Sequence, residues 1–189
     1  MRLRTLLWCI AAISAILGCG GGGGGGSSTP PRSITPATQL VYPATVADTT
    51  SWRLELDPAN TGTPLLLDVL APTGTSGQGF TVVLSTDPAN AVWSKIDQNG
   101  DYALQSLITN PKVNIASRSA SGGDLRIVFG QTQGTPVSYG TSPVVQVALE
   151  LASGATVGDV VLTASQGGNL GAGATPDQVT VSVGSLLAK

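Results

Sequence analysis

Gly79-Phe80-Thr81-Val82-Val83-Leu84-Ser85-Thr86-Asp87-Pro88 sets the period of this chain. Side chains alternate between the two faces of an extended strand. Phe80, Val82 and Leu84 therefore share one face, and Thr81, Val83 and Ser85 the other. Asp87-Pro88 ends the run, because both residues favour turn initiation. The same period of two recurs on either side, with no sustained 3.6-residue pattern. Upstream it appears at Trp52/Leu54/Leu56 and Leu65/Leu67/Val69. Downstream it appears at Val113/Ile115, Leu125/Ile127/Phe129, Val145/Val147/Leu149/Leu151, Val160/Leu162/Ala164 and Val179/Val181/Val183.

These runs predict eight strands, with a ninth near Leu40 to Tyr42. Turn-forming clusters separate them, among them Ala71-Pro72-Thr73-Gly74, Ser121-Gly122-Gly123-Asp124 and Gln166-Gly167-Gly168-Asn169. Asp-Pro-Ala-Asn occurs twice, at Asp57 to Asn60 and Asp87 to Asn90, and reads as two similar strand-ending turns. A helix is expected only over Tyr102 to Thr109. Many short strands with regular turn punctuation indicate an all-β fold, an eight- to nine-stranded β-sandwich of the jelly-roll kind, over residues 39–189.

The N-terminal part is of another kind. Arg2 and Arg4 precede an apolar run from Leu6 to Leu17, the layout of a secretory signal over residues 1–18. The run is too short for the roughly 20 residues that span a bilayer core. Ile16-Leu17-Gly18-Cys19 resembles the lipobox of bacterial lipoproteins. That resemblance implies cleavage before Cys19 and acylation (palmitate among the chains) of Cys19, the expected lipidation site, which tethers the chain to the membrane. An ordinary signal peptide would more often end in a small-x-small site. Gly20, rather than Asp, follows the cysteine, which in these lipoproteins favours the outer membrane. Gly20 to Gly26 with Ser27-Ser28 form a flexible tether, and Pro30-Pro31 and Pro36 stiffen it, so residues 19–38 are expected to be a disordered linker.

Charge and composition exclude several classes. Loss of Arg2 and Arg4 leaves seven basic against eleven acidic residues, a net charge of −4. A mildly acidic domain argues against nucleic acid as a ligand, which demands a basic patch. Cys9 leaves with the leader, so the domain has no internal disulfide and no thiolate metal site. The chain has no histidine, which removes Ser-His-Asp and Cys-His catalysis and imidazole ligands. Gly-x-Ser-x-Gly, Ser-x-x-Lys and Gly-Lys-Ser/Thr are absent. Glu55 and Glu150 are the sole glutamates, both at outward-facing strand positions, so a glycosidase pair would have to come from aspartates. No enzyme is expected.

From Trp52 to about residue 185 the domain resembles the cohesins, nine-stranded β-sandwiches related to certain carbohydrate-binding modules. Pro64 to Pro72, the Gly79 to Pro88 strand, and the runs Val144 to Leu151, Val160 to Ala164 and Val179 to Val183 carry the resemblance. Thr86 departs from it, standing where the family usually has an aromatic. The resemblance implies binding rather than catalysis, with one sheet face presented to a protein partner or a glycan.

Two local clusters are candidate sites. Asp97, Asn99 and Asp101 have the D-x-N-x-D spacing of the first half of a calcium loop, although Tyr102 stands where that loop needs Gly and Ile108 where it needs an acid. The other reading is a polar turn. Trp93 and Tyr102, with Trp52, offer aromatic faces for stacking on sugar rings, against the alternative that they fill the core. The expected function is that of an outer-membrane lipoprotein whose sandwich binds an envelope or surface protein. The alternative is a carbohydrate-binding module that holds polysaccharide at the cell surface.

Overall fold

The structure, a computed structural model, describes residues 33–42, 48–173 and 175–189. The expected signal peptide, Cys19 and the polyglycine tether lie outside the described residues. Sixteen strands follow one another among the described residues, none of which is helical. They are β1 (Leu40–Val41), β2 (Trp52–Leu56), β3 (Leu65–Leu70), β4 (Ser76–Gly77), β5 (Gly79–Thr86), β6 (Ala91–Ser94), β7 (Ala103–Leu104) and β8 (Val113–Arg118). After them come β9 (Asp124–Gly130), β10 (Val137–Ser138), β11 (Val145–Leu151), β12 (Gly158–Val160), β13 (Leu162–Leu170), β14 (Asp177–Gln178), β15 (Val181–Ser182) and β16 (Leu186–Ala188).

Eight of these strands are four residues or longer, and they make two facing sheets. One runs β15-β2-β3-β11-β6, with β7 paired to β11. The other runs β14-β13-β5-β9-β8. Pairing is antiparallel throughout except for β15 on β2, where Val181 lies beside Trp52. The period-two reading holds in detail: Leu54, Leu65, Leu67, Val69, Val82, Leu84, Leu125, Ile127, Val147 and Leu149 are all buried between the sheets. At the centre, Trp52 of one sheet stacks on Phe80 of the other at 4.7 Å and meets Tyr139 edge-on at 5.8 Å. The buried Tyr139 hydroxyl donates toward Asn169 Oδ1 (3.0 Å) and Gly79 O (3.3 Å). A Cβ on Gly77 would sit 2.1 Å from that hydroxyl, so only glycine lets β4 pass over it.

The two Asp-Pro-Ala-Asn segments do form the same turn. Asp57 Oδ1 accepts from Ala59 N–H and Asp87 Oδ1 from Ala89 N–H, while the Asn60 and Asn90 amides donate back to the Asp57 and Asp87 carbonyls.

Four expectations need correction. The helix over Tyr102 to Thr109 does not form. Eight residues make a marginal helix in water, and here Gln105 occupies the backbone instead, its side chain accepting from Ile108 N–H and donating to Ile108 O. That closure buries Ile108 as a plug. A strand missing from the sequence reading, β6, carries Trp93 into the core, because a four-residue run between two turns is too short to show a period. The run Val160 to Ala164 breaks at Val161, which is 62% exposed, and Val179 to Val183 keeps only β15. Finally, the folded unit takes in residues assigned to the linker. Pro36 bridges to Thr156, Ala37 N–H donates to Ala155 O, and Thr38 N–H donates to Lys189 O.

Trp93 is 1% exposed and donates its indole N–H to Gly123 O at 3.1 Å. Trp93→Ala should cost about 3–5 kcal/mol of stability in urea unfolding, and Trp93→Phe distinctly less.

Candidate docking face

The outer faces of the two sheets differ. On the first sheet, the row Glu55–Asp68–Gln146 crosses three strands in register. Asp68 is buried, as are Arg53 and Ala148 on the same face. The Arg53 guanidinium contacts Glu55 Oε1 at 2.5 Å. The Gln146 amide donates both to Asp68 Oδ1 (3.1 Å) and to Asp57 Oδ2, tying the turn after β2 onto the sheet. Burial pushes the Asp68 carboxyl up to about 6, only partly offset by the Gln146 bond, with Asp57 and Glu55 adding repulsion. The middle of this face is tied up by its own polar network, while Leu104, beside Gln146, is 38% exposed.

The other sheet's outer face is exposed on its β8 side. Along its strands the outward positions are Thr81, Val83 and Ser85 on β5, Asp124, Arg126 and Val128 on β9, and Val113, Ile115 and Ser117 on β8; Val83 is buried, and exposure rises toward β8. Val113 and Ile115 are 42% and 52% exposed. Thr81 and Val128 are half-buried, and Arg126 and Ser117 are exposed. The result is a gently apolar strip bordered by hydroxyls and one cation. A shallow depression of about 200 Å³ lies at one end, with Val113, Val128, Leu170 and Pro176 in its lining. A larger one of about 650 Å³ lies where β13 bulges between Ser165 and Gly168, beside Thr81 and Val179.

The residues singled out from the sequence fall elsewhere. Asp97, Asn99 and Asp101 do share one turn, but its hydrogen bonds are internal. Asp97 Oδ1 accepts from Gly100 and Asp101 N–H, both at 2.9 Å, and Oδ2 from the Asn99 amide. The Asp101 N–H, foremost, holds the Asp97 carboxyl below its ordinary range. Both carboxylate oxygens of Asp97 thus accept from the loop that carries them. Trp93, with Trp52, is in the core, which corrects its reading as a sugar platform. Tyr102 is half-buried against that core, and the Arg118 guanidinium sits over its ring at 5.4 Å. Sequence reasoning gave Thr81 and Ser85 as part of an outer face but not Val113 and Ile115: these alternate like any strand, and only the sheet order sets them beside that face with nothing among the described residues over them.

The fold of this two-sheet sandwich is cohesin-like. The chain is similar to a chain of the complex between CaCohA2, from Clostridium acetobutylicum, and a variant of CaDoc0917, with a TM-score of 0.50 and 16% identity over 67% of this chain and 92% of that one. It is also similar to the sixth cohesin of scaffoldin B from Acetivibrio cellulolyticus, solved in complex with a Cel5 dockerin, with a TM-score of 0.50 and 19% identity over 72% of this chain and 96% of that one. No family model and no curated protein matches the chain.

Asp68 gives a test of the closed face. Its raised carboxyl pKa means that protonation favours the folded state. This contribution is full below the ordinary value of 3.8 and is lost as pH rises through about 6. Asp68→Asn should therefore raise stability at pH 7.5 by about 1–3 kcal/mol and flatten the melting temperature between pH 4 and 7, as read by thermal unfolding.

Proposed function

We propose that this protein is a non-catalytic binding module, tethered by lipid at Cys19 to the outer membrane, that docks an envelope or surface protein on the outer face of β13-β5-β9-β8. The observation that carries this reading is the contrast between the middles of the two faces. One is tied up by Arg53, Asp57, Asp68 and Gln146, with Leu104 exposed only beyond them. The other exposes Val113, Ile115 and Arg126 with Thr81 and Ser117, the mixture of modest apolar surface and polar groups that suits a protein interface. Both similar structures are cohesin-type complexes, one named with a dockerin, which supports a protein partner. The glycan reading is the weaker one, since neither described tryptophan is free to stack on sugar and Tyr102 is covered by Arg118.

The double variant Thr81→Arg/Arg126→Glu changes shape and charge on the open face without touching the core. The full chain used as bait in solubilised envelope should retain a partner in stoichiometric amount, and the double variant should lose it by tenfold or more. Equal capture by both would place the interface elsewhere and sink the face assignment. The anchor is tested separately. Labelled palmitate should enter the protein in cells and be lost from Cys19→Ser; label that persists in that variant would refute lipidation at this residue.

A further inference from the structure

The open sheet ends in a strand that nothing among the described residues covers. β8 forms its outer edge for six residues and pairs on the inner side with β9 in unbroken register, Val113 with Gly130 through Arg118 with Leu125. The ladder assigns each backbone group to a side. Ser119 N–H donates to Asp124 O at 2.7 Å on this same register. Hydrogen-bonded and non-bonded pairs alternate in an antiparallel ladder, so Val113, Ile115 and Ser117 bond to β9. The N–H and C=O groups of Asn114, Ala116 and Arg118 then point out of the sheet. The neighbouring ladder has matching parity. Thr86 N–H donates to Gly123 O and Gln131 N–H to Gln78 O, so odd residues of β9 face β5 and even ones face β8.

Natural sheets blunt their edges by shortness, proline, lysine or a bulge. This fold does so elsewhere: β14 and β15 are two residues long, β12 is three and β6 is four. Pro111 and Lys112 guard only the start of β8, where Lys112 N–H also reaches Gly130 O; from Asn114 to Arg118 no proline, lysine or bulge interrupts the edge, and Val113 and Ile115 are exposed beside it.

We infer that β8 pairs antiparallel with β8 of a second copy, about a two-fold axis through Ala116, joining two five-stranded sheets into one. The sequence is self-complementary in that register. Outward-pointing residues must lie opposite each other, which sets Ala116 against Ala116 and Asn114 against Arg118. The strand's single charge, already held over Tyr102 and toward Trp93 O, thereby lies opposite Asn114 rather than opposite its own copy, and the smallest side chain lies on the axis. Three hydrogen-bonded pairs form, each exchanging two bonds, and a shift of two residues either way leaves fewer. On the open face Ile115 lies opposite Ser117 and diagonal to the other Ile115, within reach of contact. An isologous contact of this kind closes at two copies, and the joined sheet ends on the two-residue β14 at both sides.

Cross-linking and sedimentation test this in the full chain. With Cys9→Ser and Cys19→Ser in place, Ala116→Cys supplies the sole thiol, and the axial pair brings the two Cα atoms to about 5.5 Å, within disulfide range. Mild oxidation should give a covalent dimer at least tenfold faster than for Ser121→Cys, which lies off the axis. Ala116→Pro removes an N–H that faces solvent in the single copy, where proline is tolerated. It should keep the melting temperature yet weaken self-association tenfold or more, and Ile115→Lys should do likewise. A wild-type chain that sediments as a monomer at all concentrations would overturn the inference. So would Ala116→Cys that cross-links no faster than Ser121→Cys, or a dimer that survives both variants. Thr81→Arg/Arg126→Glu should leave the dimer intact, which separates this edge from the docking face.

Discussion

The contact between Trp52 and Phe80 holds the two sheets together. No cysteine lies among the described residues, so no disulfide joins the sheets there and the sandwich rests chiefly on apolar packing. The two rings come from opposite sheets and stack at 4.7 Å with their planes 15° apart. Tyr139 closes the cluster edge-on, and its hydroxyl is satisfied inside the core by Asn169. Offset and edge-to-face contacts of this kind add about 0.5–1.5 kcal/mol each beyond the area they bury. They also fix which residues of each strand face inward. A slip of one residue in β2 or β5 would turn Trp52 or Phe80 to solvent and bring Arg53 or Thr81 into the core.

That inward register decides what the outer faces carry. On the first sheet it places Asp68 between Glu55 and Gln146, where the chain spends its buried polar groups on closing a surface. On the second it places Val113, Ile115, Val128 and Arg126 outward with nothing above them among the described residues. A binding role is argued from this difference between faces, since a fold of this type by itself specifies no ligand. The same register also fixes the parity of β8. The backbone groups at its free edge and the side chains on the open face are two consequences of one alternation.

Much of this was legible in the sequence, for a physical reason. A half-buried strand must alternate, so Leu65/Leu67/Val69 and Phe80/Val82/Leu84 named their own inward faces. Asp-Pro-Ala-Asn named its turns, because the carboxylate captures the amide two residues on wherever that dipeptide ends a strand. Where the signal was shorter than a period it failed. Ala91–Ser94 gave too few residues to show alternation, and so Trp93 could be read either as core or as platform. Tyr102 to Thr109 had no proline or glycine inside it and read as helical until Gln105 bonded its own loop.

Sequence alone therefore determined the all-β class, the inward residues of the long strands, the strand-ending turns and the absence of imidazole chemistry. Each of these follows from local alternation or from which side chains exist. Tertiary structure decided the order of the strands, and with it which face is sealed and which strand is left at an edge. It also decided that Trp93 is core. Those outcomes depend on pairing between residues 30 to 151 positions apart, such as Trp93 with Gly123 and Thr38 with Lys189, and no local pattern encodes a partner at that distance.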